Sequence, residues 1–123
     1  MSKTTLYDVR ADGKAYVIIA GRFAHPTTVS SGLGFTVVDH ASLGRYDITF
    51  DDQYSGFISC VASLEADSGE AIDGWTVLTS TYTAGANPTL SVWVSNENEG
   101  VADLVADSYC NFIAVFRNTT VTK

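Results

Sequence analysis

From residue 14 onward, apolar and polar residues alternate with a period of two in one short run after another. No stretch sustains the 3.6-residue apolar period of an amphipathic helix. In the run 44–51, Tyr46, Ile48 and Phe50 fall on one side and Arg45, Asp47 and Thr49 on the other. Leu90, Val92 and Val94 oppose Ser91, Trp93 and Ser95. Cys110, Phe112, Ala114 and Phe116 oppose Asn111 and Arg117, and Ile58, Cys60, Ala62 and Leu64 oppose Ser59, Ser63 and Glu65. Strands with one apolar and one polar face belong to antiparallel sheets packed face to face.

Strands are expected at about 14–23, 34–39, 44–51, 56–65, 74–82, 89–96 and 108–117. Turn chemistry separates them: Asp12-Gly13, Ser31-Gly32, Leu43-Gly44, Ser68-Gly69, Asp73-Gly74, the Gly85–Pro88 segment and Glu99-Gly100. The one helical candidate is a turn within Val101–Asp107. The expected fold is all-β, an antiparallel two-sheet β-sandwich of jelly-roll-like form. It divides into an N-terminal arm, 1–12, and a sandwich domain, 13–123. A chain of 123 residues can hold its own core.

The formal charge of −7 sets 14 acidic against 7 scattered basic residues, which repels phosphate backbones and anionic lipid. No nucleic-acid or membrane partner is expected. The longest apolar stretch, Tyr16–Ala20, is too short to span a bilayer, and the N-terminal residues lack the apolar run of a secretion signal. Cys60 and Cys110 each lie inside an apolar run and are expected to be reduced and buried.

The search for chemistry returns little. His25 and His40 belong to no Ser/His/Asp or Cys/His motif, and there is no GxSxG. Two cysteines without CxxC and two distant histidines give no zinc spacing. The loop Asn96–Asp103 alternates Asn and Glu oxygens as a Ca²⁺ loop does, but lacks the full EF-hand spacing; an acidic loop on an acidic chain is ordinarily just solvated. No catalytic residue, cofactor or metal ligand is assigned. Two aromatics break the pattern: Trp93 sits among serines on a polar face, and Tyr82 ends its strand beside the proline turn. Both are candidate interface anchors, and Trp93 is alternatively a side chain packed under a neighbouring loop.

Gly34-Phe35-Thr36-Val37-Val38, then Gly44-Arg45-Tyr46-Asp47-Ile48-Thr49-Phe50, the Phe57–Leu64 strand and Asn111-Phe112-Ile113-Ala114-Val115-Phe116 form an ordered series over residues 20 to 117. The series resembles small β-sandwich domains of tailed-bacteriophage virion proteins, found in head decoration (cement) proteins and in tail-fibre tips. The resemblance implies no catalytic residues. It implies a structural protein on the capsid surface of the virion, made in the host cytoplasm, whose partners are the major capsid protein and copies of itself, with a trimer expected. The absence of heptads or repeats before the Gly34 strand favours the head reading. The alternative is a tail-fibre tip or a receptor- or carbohydrate-binding domain with Trp75, Tyr82 and Trp93 as its platform. Leu6, Tyr7 and Val9 in the arm, with Tyr82 and Trp93, are the expected interface residues.

Overall fold

A computed structural model describes residues 9–11, 14–25, 29–54, 56–65, 74–97, 100–105 and 108–117. The chain is all-β, and two antiparallel sheets pack against each other as a β-sandwich. The described strands are β1 (Val9–Ala11), β2 (Lys14–Ala24), β3 (Val29–Gly32), β4 (Phe35–Asp39), β5 (Arg45–Phe50), β6 (Gly56–Glu65), β7 (Thr76–Thr79), β8 (Thr89–Asn96), β9 (Gly100–Val101) and β10 (Tyr109–Arg117). The first sheet runs β1-β2-β10-β6, with β3 also paired to β2; the second runs β4-β5-β8-β7, with β9 also paired to β8.

The alternation of the sequence becomes the layering of the sandwich. Phe23 of β2 and Cys110, Phe112, Ala114 and Phe116 of β10 turn inward from the first sheet. Phe35, Tyr46, Ile48, Phe50, Leu90, Val92 and Val94 turn inward from the second. The centre is aromatic. Phe112 stands edge-on to Phe35 at 4.9 Å between ring centroids, and Phe116 stands edge-on to Phe50 at 4.9 Å. Such tilted pairs satisfy the ring quadrupoles while burying large apolar area. Phe57, Tyr82 and Tyr54 extend the cluster around Phe116.

Two glycines make this packing possible. A Cβ on Gly21 would collide with the Phe35 ring, so β2 can pass beside the Phe35–Phe112 pair only without a side chain. Gly44 has a φ of +77°, and a Cβ there would lie 2.6 Å from the Val94 carbonyl oxygen. That closeness lets the Gly44 carbonyl accept a hydrogen bond from the Val94 amide at 2.8 Å, where the β4–β5 turn meets β8.

Four readings of the sequence are corrected. The register between β10 and β6 shifts after Val115, so Phe57 rather than Ile58 faces Phe116 across the pair. This bulge turns Ile58 outward, away from the face of Cys60, Ala62 and Leu64; one extra residue reverses every following side chain of a period-2 strand. The expected helical turn is absent from the described part of Val101–Asp107. Gly100–Val101 instead pairs with β8, and residues 102–105 are irregular. The expected strand 74–82 ends as β7 at Thr79, and Thr83 makes an isolated bridge to Thr89. Ser31-Gly32, taken for a turn, is the end of the edge strand β3 (Val29–Gly32).

Val9–Ala11, the described part of the 1–12 arm, pairs with β2 of its own sheet, Val9 opposite Tyr16. Leu6 and Tyr7 lie outside the described residues.

The inter-sheet aromatic contact carries the fold. Phe112 is 2% exposed and bridges Phe35 and Phe50. Phe112→Ala should therefore destabilise the domain by about 3–5 kcal/mol in chemical denaturation. A loss below about 1 kcal/mol would mean that the two sheets do not rely on this ring.

Candidate functional site

The outer face of the first sheet is unusual for a solvated surface. Register places Ile18, Val115 and Ser59 in one row across β2, β10 and β6, and Ala20, Ile113 and Val61 in the next. Ile18 is 51% exposed, Ile113 52%, Val61 67% and the bulged Ile58 46%. These side chains form one flat apolar patch on the middle of the sheet. Contiguous exposed apolar patches of this kind are often functional.

A polar group closes the patch toward one end of the strands. The Arg22 guanidinium donates to both oxygens of Glu65, at 3.0 and 2.6 Å, and lies 3.7 Å over the Tyr109 ring. Asn111 donates to the same carboxylate at 3.4 Å. The Arg22 hydrogen bonds hold the Glu65 carboxyl below the usual range, and Glu65 in turn raises Arg22. Arg117 stands at the other end, opposite Tyr16 and Gly56.

The outer face of the second sheet is more polar. Trp93 lies half-buried between Arg45 and Leu78 in register, with the guanidinium 5.6 Å from its ring centroid. Arg45 and Ser91 both donate to Asp47, at 2.9 and 2.7 Å. Tyr82 is stacked on Phe57 at 4.8 Å, with the ring planes 8° apart, and packs against the core; Trp75 also packs against the core. Trp75, Tyr82 and Trp93 therefore form no shared exposed platform. Beside Trp75 a cavity of about 10 Å³, lined also by Leu64, Leu104 and Ser108, is the size of one water and not of a sugar ring.

A second cluster lies where the sheets meet beyond the end of β2. Tyr46 is fully buried, so its hydroxyl must be satisfied inside the protein. The Leu104 amide donates to it at 2.9 Å, and His25 Nδ1 lies 2.9 Å away. Burial pushes the phenol far above its ordinary pKa, so it stays protonated. Asp39 lies 4.0 Å from the same His25 nitrogen, and Asp103 is fixed by a 2.7 Å hydrogen bond from the Gly44 amide. Spacing along the chain gave no sign of this convergence, because the fold unites positions 25, 39, 46 and 103 from four separate segments.

Burial keeps both thiols protonated. Cys110 is buried and Cys60 half-buried; both are free. Burial pushes Cys60 up to about 11 and Cys110 up to about 12. The described residues contain no helix long and apolar enough to cross a membrane. No protein-family model, no curated protein and no solved structure matches the chain.

Because attack requires thiolate, an alkylating reagent at pH 8 should leave both cysteines of the native protein unmodified and label both in denaturant without reductant. Labelling of native Cys60 would contradict its elevated pKa. Asp47 supplies a pH test. Burial raises its pKa, but the Ser91 and Arg45 hydrogen bonds outweigh this and hold it below the ordinary value. A folded pKa below the unfolded one gives stability that is present above about pH 4 and lost as pH falls through the folded value. Asp47→Asn should lower Tm at neutral pH and flatten its decline under acid. An unchanged acid profile would remove Asp47 from the linkage.

Proposed function

We propose that this chain is a non-catalytic structural protein of a bacteriophage virion, a decoration protein that adds itself to the outside of the capsid and clamps neighbouring shell subunits. One observation carries the reading: the apolar patch formed by Ile18, Ile58, Val61, Ile113 and Val115 on the outer face of the first sheet. Water disfavours such a surface, and covering it releases free energy of roughly 25 cal/mol per Å². Specific interfaces take about 800 Å² per partner, an apolar centre with a polar rim. Here Arg22, Glu65, Tyr109, Asn111 and Arg117 supply the rim.

Charge supports the same face. The chain carries −7 overall, yet this face holds two arginines and one carboxylate among its described outward side chains. Like-charge repulsion of an acidic partner is therefore low on this face. The occupant we assign to it is a flat apolar surface of the major capsid protein. A symmetric homo-oligomer, a trimer on a three-fold site of the shell, would multiply the contact and raise effective affinity without catalysis. The ordered resemblance over residues 20–117 agrees with this reading. The carbohydrate-binding alternative loses support from the packing of Trp75 and Tyr82 against the core.

Stoichiometry tests the proposal. Mass spectrometry of purified particles of the encoding phage should find the chain in hundreds of copies. Val61→Lys with Ile113→Lys should leave the domain folded, since both side chains point to solvent. That variant should no longer bind particles stripped of the wild-type chain. A handful of copies would place the protein in the tail, and undiminished binding by the double variant would remove this face as the contact.

A further inference from the structure

The His25 cluster joins both sheets, and its chemistry differs from that of the apolar face. His25 follows the end of β2 in the first sheet, Asp39 ends β4 in the second, and Asp103 lies in the irregular segment after β9. One ligand atom from each, a ring nitrogen and two carboxylate oxygens, lies within 4.8 Å of the other two. The set is partly shielded: the His25 side chain is 34% exposed and that of Asp39 31%. Among the described residues no Lys or Arg forms an ion pair with Asp39 or Asp103. Two carboxylates thus lie beside one histidine, with no fixed cation on them among the described residues.

We propose that His25, Asp39 and Asp103 form a binding site for a divalent transition-metal ion, Zn²⁺ foremost, which staples the two sheets together. The donor set selects the ion. Imidazole nitrogen favours zinc and its neighbours in the first transition row over Ca²⁺ or Mg²⁺, and carboxylate oxygens complete a site without sulfur. Four-coordinate zinc holds nitrogen and oxygen at about 2.0–2.2 Å, which brings ligand atoms to on the order of 3.5 Å apart. Small side-chain rotations close the present cluster to that spacing, and water fills the fourth position.

The surroundings orient the ligands. The Gly44 amide fixes Asp103 at 2.7 Å, and with the ion on His25 Nε2 the Tyr46 hydroxyl, itself held by the Leu104 amide, would be the partner of the other ring nitrogen, Nδ1. Metal-binding histidines and carboxylates characteristically have such partners behind them. Because the ligands come from three chain segments, the ion binds the folded state and not the unfolded one, and binding must raise Tm.

The test is titration of chelator-stripped protein with ZnCl₂ alone, read by calorimetry and by thermal melting. We expect saturable 1:1 binding, a higher Tm, and a shift of the His25 ring resonances in NMR. His25→Gln should weaken binding by at least tenfold, and Asp39→Asn and Asp103→Asn should each weaken it as well. His40→Gln, whose ring contacts the Ser42 amide elsewhere, should leave it unchanged. No Tm shift with Zn²⁺, or zinc binding undiminished in His25→Gln, would overturn the site. CaCl₂ run in parallel separates the ions: a Ca²⁺-induced shift as large as that of Zn²⁺ and insensitive to His25→Gln would refute the role of the imidazole.

Discussion

Phe112 leans edge-on against Phe35 and Phe50, and Phe116 leans against Phe50 in turn. These rings come from the central strand of one sheet and from β4 and β5 of the other. Each sheet alone would leave them in water. The chain therefore has to close into a sandwich, and much else follows from that closure. Gly21 must lack a side chain because the Phe35 ring occupies the space a Cβ would need. Tyr46, carried inward by the same alternation, must satisfy its hydroxyl in the interior, and the partners it finds are Leu104 and His25.

How much of this is legible in the sequence depends on the range of the interaction. The period-2 pattern makes the sandwich readable, along with the inward set on β5, β8 and β10, because each strand declares its faces locally. Ile58 misleads because its pattern is regular; the bulge against β10 is a property of the pair, not of the strand. The short edges β3 and β9 are built from Ser, Gly and Val and carry turn chemistry, so only their neighbours make them strands. Tyr82 reads as an exposed aromatic at a turn, yet stacks on Phe57 from a distant strand. The outer apolar patch was half visible: alternation predicts which residues point outward. That Ile18, Ile113 and Val61 stand side by side needs the β2-β10-β6 order, which no single strand encodes. The His25 cluster lies furthest from view, since its members come from separate segments and none carries a motif.

A sheet residue points either to the core or to solvent, and the two sets interleave along one strand. On β10, Cys110, Phe112, Ala114 and Phe116 hold the fold while Tyr109, Asn111, Ile113 and Val115 face out. A change at Ile113 does not touch the aromatic packing beneath it. Stability and contact chemistry are thus separable at a spacing of one residue. That suits a protein whose proposed work is to present a surface.

The charge distribution sharpens this argument. An acidic chain approaching a second copy of itself, or an acidic partner, meets repulsion over most of its surface. The outer face of the first sheet departs from that rule, because Glu65 is already paired with Arg22 and Arg117 stands at the opposite end. Two-sheet closure thus yields an inner face that fixes the fold and an outer face on which the proposed docking would meet little like charge. The His25 cluster sits outside both, at the rim where the two sheets must be held in place. Loss of a ligand there would loosen one end of the sandwich without altering the patch. Loss of the patch would abolish docking without loosening the sandwich. The two proposals can therefore be tested independently, because they rest on different residues.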